Sequence, residues 1–122
     1  YFNYEFNEQN QQVQLCCKVQ IRKTYIKEVI IGNILATDYN KDLIKKAIIA
    51  LYKQLKSKNL ATIVSIALNE NSNIEQLEVI KSLNFRDINK HIYFFTYPMN
   101  IDKAELINPK NWELYRGDID TW

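Results

Sequence analysis

The stretch Tyr25-Ile-Lys-Glu-Val-Ile-Ile-Gly-Asn-Ile-Leu-Ala36, a lysine-rich segment after it, and then Leu60-Ala-Thr-Ile-Val-Ser-Ile-Ala-Leu68 together decide the fold class. The first run is almost continuously apolar through Val29, Ile30, Ile31, Ile34 and Leu35, the composition of a strand covered on both faces. Gly32 interrupts it, and a glycine inside a strand marks a bulge or a close approach of another backbone. Between the two runs Ile44, Ala47, Ile48, Leu51 and Leu55 recur at helical spacing, while Lys45, Lys46, Lys53 and Lys56 fall mostly off that stripe. This predicts an amphipathic helix ending near Lys58, capped by Asp38 or Asn40. The second run, apolar and β-branched, reads as another buried strand. Strand, helix and strand in this order predict a parallel pair joined by a right-handed crossover.

Working outward, Phe2, Tyr4 and Phe6 alternate with Asn3 and Glu5, and Val13, Leu15, Cys17, Val19 and Ile21 alternate with mostly Gln and Lys. Both are half-buried strands, and the polar residues from Asn7 to Gln11 form the turn between them. Downstream, Ser72 and Glu75 have capping-box spacing, with Leu77, Ile80 and Leu83 on one helical face. The aromatic-rich stretch from Phe85 to Tyr97, stopped by Pro98, reads as a strand, and Trp112 to Arg116 as a last one. The order is three strands, helix, strand, helix, strand, strand. The expected class is α/β (α+β): a mixed, mostly antiparallel sheet containing one parallel strand–helix–strand unit.

Composition narrows the function classes. Of the 122 residues 47% are hydrophobic and 25% charged, as in a folded globular chain. A net charge of +2 gives no reason to expect nucleic acid or a membrane as partner. Lysines outnumber arginines 13 to 3 alongside abundant Ile and Asn, a bias that A/T-rich codons explain as simply as a binding surface does. Cys16 and Cys17 are adjacent in a strand, so their side chains point to opposite faces and do not pair. Reduced cysteines, with no signal peptide or apolar span in the sequence, lead to the expectation of a cytoplasmic protein. The chain opens in mid-strand at Tyr1 and is read as one domain lacking part of its front.

The segment Asn73-Ile-Glu-Gln-Leu-Glu-Val-Ile-Lys-Ser-Leu-Asn84-Phe85 resembles the Asn-x-x-Ala…Leu-Gly-Phe segment of the GNAT N-acetyltransferase superfamily, with the same eleven-residue step. Ala47-Ile48-Ile49 resembles the Ala-Leu-Leu after that family's acyl-CoA loop. Trp112-Glu-Leu-Tyr-Arg-Gly117-Asp118-Ile-Asp120 resembles the tail of a bacterial subgroup. The resemblance spans nearly the whole chain and matches the C-terminal part of the family domain, without its first strand and first two helices. It implies acetyl transfer from acetyl-CoA, or another acyl-CoA, to a small-molecule amine acceptor, and allows a homodimer. The alternative is a degenerate, non-catalytic acyltransferase-like module serving interaction or dimerisation.

The resemblance also implies a site. The backbone edge at Ile34, Leu35 and Ala36 would hold the pantetheine, and the helix start at Asn40, Lys41, Leu43 and Lys45 the pyrophosphate. Asn73 would contact the pantetheine and adenine side, with Asn69 and Asn71 as candidate neighbours or plain turn residues. The family's Gln/Arg-x-x-Gly-x-Gly/Ala loop aligns with Asn40, Leu43 and Lys45, so a leucine and a lysine replace glycines that let backbone N–H groups close on phosphate. Lys41, Lys45 and Lys46 would supply point charges instead. The tyrosine that protonates the leaving thiolate aligns with Ile80, which has no proton to give. Glu28 stands where the family carries a carboxylate base; the other reading is an exposed glutamate at a strand start. His91 reads as a packed aromatic-strand residue before a catalytic one, Asp118 and Asp120 as a solvated tail before a cation site, and Tyr93, Phe94, Phe95 and Tyr97 as core and subunit-contact surface. No metal-ligand spacing, phosphate loop or Ser-His-Asp arrangement is present.

Overall fold

A computed structural model describes residues 1–22, 25–66 and 74–88. Strand β1 (Phe2–Glu8) turns into β2 (Gln11–Arg22), which pairs antiparallel with β3 (Ile26–Ala36). A 3-10 turn, Thr37–Tyr39, leads to helix α1 (Lys41–Ser57), then to β4 (Ile63–Ile66) and helix α2 (Ile74–Ser82). The sheet order is β1-β2-β3-β4, with β4 parallel to β3. The fold is therefore α+β: a four-stranded mixed sheet, antiparallel with one parallel pair, and two helices. The strands expected at Phe85–Tyr97 and Trp112–Arg116 fall outside the described residues apart from Phe85–Ile88, which are not in a strand.

The β1–β2 turn is two residues long, with φ 48° at Gln9 and 64° at Asn10. Positive φ at both central residues is what a right-twisted hairpin requires of a tight turn. In β3 the apolar run works as anticipated. Val29 and Ile31 join the helix-side core, while Glu28 and Ile30, also buried, occupy the opposite face. Cys16 pairs with Asn33 but Cys17 with Ile31, leaving Gly32 as an extra residue in the ladder. That bulge reverses the side-chain parity and puts Ile34 on the same face as Ile31.

The core is built from the apolar stripe of α1 against Val13, Leu15, Cys17, Val29, Ile31 and Ile34, with Phe2, Tyr4 and Phe6 packed at its margin. Burial pushes the Cys17 thiol up to about 12, and the neighbouring Cys16 adds to the rise; it is a core side chain, not a reactive one. Two outcomes differ from the sequence pattern. Val19 and Ile21 continue the apolar alternation of β2 yet are exposed, because β1 reaches only to the partner of Cys17. In α2 the inward face is Gln76, Val79 and Ile80, with Leu77 only half-buried.

Both helices end the same way. Asn59 N–H bonds to the Lys56 carbonyl and Leu60 N–H to the Leu55 carbonyl, with φ 52° at Asn59. Asn84 N–H bonds to Lys81 and Phe85 N–H to Ile80, with φ 61° at Asn84. These are paired Schellman closures in which asparagine fills the left-handed position that glycine usually takes. Asn84 thus adopts a glycine-like conformation at the position where the resembling segment has its glycine.

Candidate functional site

The C-terminal end of β3 delivers the chain to the N-terminus of α1 through a strained turn. Asp38 has φ 56° and Tyr39 φ 45°, two consecutive left-handed residues without glycine, and a bulky aromatic there is an outlier. At this same end lies the β1–β2 turn. Thr37 Oγ1 accepts the Gln12 N–H at 3.4 Å and donates to the Gln12 carbonyl at 3.3 Å. Strained backbone beside a helix start, at the carboxyl end of a strand flanked by one antiparallel and one parallel neighbour, is the kind of place where α/β sheets accommodate ligands.

The sequence-derived residues are distributed as follows. Asn40, not Asp38, is the cap of α1: its Oδ1 accepts the N–H groups of Asp42 (3.1 Å) and Leu43 (3.2 Å). Its Nδ2 donates to Gln11 Oε1 at 3.0 Å, so the hairpin turn holds the cap in place. Lys41 Nζ donates to Glu78 Oε2 at 2.9 Å and lies 4.0 Å from Glu75 Oε1 on α2. The hydrogen bond to Glu78, with the charges of both carboxylates, raises the Lys41 pKa above its ordinary value. Lys46 Nζ is 2.6 Å from Glu8 Oε2 at the end of β1. Lys45 forms no ion pair among the described residues.

Leu43 is buried at 2% exposure and belongs to the core, so it does not line a loop. Ile34 is likewise buried, and its N–H is taken by Asn33 Oδ1 at 2.8 Å. Leu35 is exposed on the other face and Ala36 is half-buried beside the core. Asn73, Asn69, Asn71, His91, Asp118, Asp120 and the Tyr93–Tyr97 aromatics lie outside the described residues. Ile34, Leu35, Ala36, Asn40, Lys41, Leu43 and Lys45 therefore do gather at one end of the sheet. Their polar groups are largely satisfied from within the chain.

Glu28 stands apart, in the first half of β3, and it is not the exposed strand-start residue that its position suggested: it is 3% exposed. Its Oε2 accepts from Gln20 Nε2 and Arg22 Nε, and its Oε1 from Arg22 Nη2 at 3.1 Å and Ser65 Oγ at 2.7 Å. Burial pushes the carboxyl upward, but the hydrogen bonds from Ser65, Gln20 and Arg22, with the Arg22 charge, outweigh it and hold the pKa below the ordinary range. The carboxylate thus ties β2, β3 and β4 together. An amine or water must displace one of these donors to use it as a base. The signal for this cluster was in the sequence: Gln20 and Arg22 alternate onto one face of β2, and the hairpin register sets Gln20 opposite Glu28.

Among the described residues no helix is long and apolar enough to cross a membrane, and no group of three or more His, Cys, Asp or Glu side chains gathers as a metal site would. No family model, curated protein or solved structure matches this chain.

Proposed function

We propose that this chain is an acyl-CoA-dependent N-acyltransferase module, transferring an acetyl or related acyl group to a small-molecule amine. The observation that carries the reading is the path from β3 through the strained Asp38–Tyr39 turn into α1, with β2 antiparallel on one side and β4 parallel on the other. The left-handed Asn84 falls at the glycine position of the resembling segment and agrees with this reading, although Asn59 closes α1 in the same way. In this reading the Ile34–Ala36 backbone holds the pantetheine, and the start of α1 with Lys45 holds the pyrophosphate. The acceptor amine attacks the thioester carbonyl and the thiolate leaves, with proximity of the two bound reactants supplying much of the rate. Glu28, ionised and fully hydrogen-bonded, holds the sheet under the acceptor and takes a proton only after releasing Ser65 or Gln20.

A second reading is favoured by specific contacts. Asn40 fills the donors at the helix start, Lys41 is committed to α2, and Asp38 and Asp42 add negative charge where a phosphate would sit. These features suit a non-catalytic acyltransferase-like module that has given up the cofactor. Thermal unfolding with and without acetyl-CoA separates the two. At 100 times its dissociation constant a ligand stabilises by about 2.7 kcal/mol. The transferase reading expects such a shift, and no shift at millimolar acetyl-CoA leaves the non-catalytic module.

A further inference from the structure

The tip of the β1–β2 hairpin grips α1 and its approach through three residues. Lys46 Nζ reaches Glu8 Oε2 at 2.6 Å, Asn40 Nδ2 donates to Gln11 Oε1 at 3.0 Å, and Thr37 Oγ1 exchanges bonds with the Gln12 backbone at 3.3 and 3.4 Å. The middle contact holds the cap. An asparagine amide has one oxygen and one NH2 group. The Asp42 and Leu43 N–H groups take the oxygen of Asn40, so its NH2 faces the hairpin, where Gln11 accepts it. The amide is fixed at both ends, and Gln11 and Asn40 are both half-buried. Left-handed backbone without glycine flanks this contact on either side, at Gln9 and Asn10 and at Asp38 and Tyr39. Glutamine and tyrosine seldom keep that conformation unless their surroundings hold them there.

We propose that the hairpin tip is a strap over the start of α1, in which Gln11 acts through Asn40 as a positioning residue that keeps the first helical N–H groups closed to an anion. With the strap closed, Asp42 and Leu43 donate to Asn40. With Gln11 released the Asn40 amide is free to turn away, and the same two N–H groups become donors for a phosphate. The ligand rests on the transferase reading above, in which that phosphate belongs to the acyl-CoA pyrophosphate. Binding then draws on the open form alone, so its apparent affinity is lowered by the fraction of molecules that are closed, and loosening the strap raises it.

The test compares the full chain with Gln11→Leu, which keeps the bulk and loses the acceptor, and with Gln11→Glu, which keeps an acceptor. Exchange of amide protons with water, followed by NMR, is expected to speed about threefold or more at Asp42 and Leu43 in Gln11→Leu. Gln11→Glu stays close to wild type, and unchanged exchange at Ile48 and Leu51 shows that the helix is intact. Inorganic pyrophosphate and acetyl-CoA, titrated separately, each bind Gln11→Leu about threefold or more tightly than wild type. A strap that merely stabilised the fold would not tighten binding when cut. Equal exchange at Asp42 and Leu43 in wild type and Gln11→Leu overturns the strap. Faster exchange there without tighter binding of pyrophosphate overturns its control of the helix start. Tighter binding of pyrophosphate, with no binding of acetyl-CoA by any of the three proteins, upholds the strap and overturns the transferase reading instead.

Discussion

The two ends of α1 are made from the same kind of sequence and do opposite things. At the N-terminus Asn40 caps the helix, Lys41 reaches to Glu78, Lys46 to Glu8, and Gln11 braces the cap. At the C-terminus Asn59 closes the last turn and the lysines beyond Tyr52 reach no carboxylate among the described residues. The helix dipole favours an anion at the first end by about 0.3–1 kcal/mol. An N-cap side chain is worth about 1 kcal/mol in the same place. The dipole alone therefore does not decide where an anionic ligand binds. What decides is how much of each end the chain has already occupied, and by that measure a phosphate at the N-terminus competes with Asn40 and with Asp42.

The largest effect is expected where that comparison is pressed hardest. Leu43→Gly puts a glycine at the helix start, as the loop it was compared with has, but Leu43 is a core residue. Losing its side chain and placing glycine in a helix costs about 3–5 kcal/mol, read from denaturant midpoints. Little or no loss would mean that the N-terminal end is a loop in disguise, with room for a phosphate already present.

Away from both ends, Glu28→Gln leaves Arg22 without its counter-charge. Breaking a fully buried pair costs roughly 3–5 kcal/mol, and because Arg22 is 38% exposed the loss is expected nearer 2 kcal/mol. The sign in pH follows from the lowered carboxyl. The Glu28 contribution is fully present above the ordinary carboxylate range and is lost as pH falls through its depressed folded value. Wild type should therefore lose its advantage over Glu28→Gln as the medium is acidified below about pH 4.5. An advantage that persists unchanged there contradicts the ionised clamp.

Asn40→Ala removes the cap and is expected to cost about 1 kcal/mol. It also frees the Asp42 and Leu43 N–H groups, so under the transferase reading acetyl-CoA recovers part of that loss. A variant destabilised equally with and without acetyl-CoA favours the non-catalytic module. At the other end Asn59→Gly relieves the left-handed conformation and should gain a few tenths of a kcal/mol. A loss instead would show that the asparagine side chain holds that corner in place.

Much of the fold was legible because periodicity reports burial directly. Phe2, Tyr4 and Phe6 alternate inward, the Ile44–Leu55 stripe faces the sheet, and Gly32 marks a real bulge. What failed to show were contacts between residues distant in sequence. Lys41 meets Glu78 only because α2 packs on α1. Glu28 becomes buried only when β2 and β4 both close on it. Leu43 looked like a loop residue because the family alignment placed a glycine there, although its spacing one residue before Ile44 also suits the inward stripe. Val19 and Ile21 show the converse limit: alternation predicts which side a residue faces, and not whether anything covers that side.

The most direct measurement is an amide NMR titration of the chain with acetyl-CoA, read residue by residue. Saturable shifts concentrated at Leu35–Lys45 are expected, with the Tyr52–Val64 corner unmoved. Shifts confined to the lysines around Tyr52, or no shifts at all, would contradict an acyl-CoA site at the start of α1.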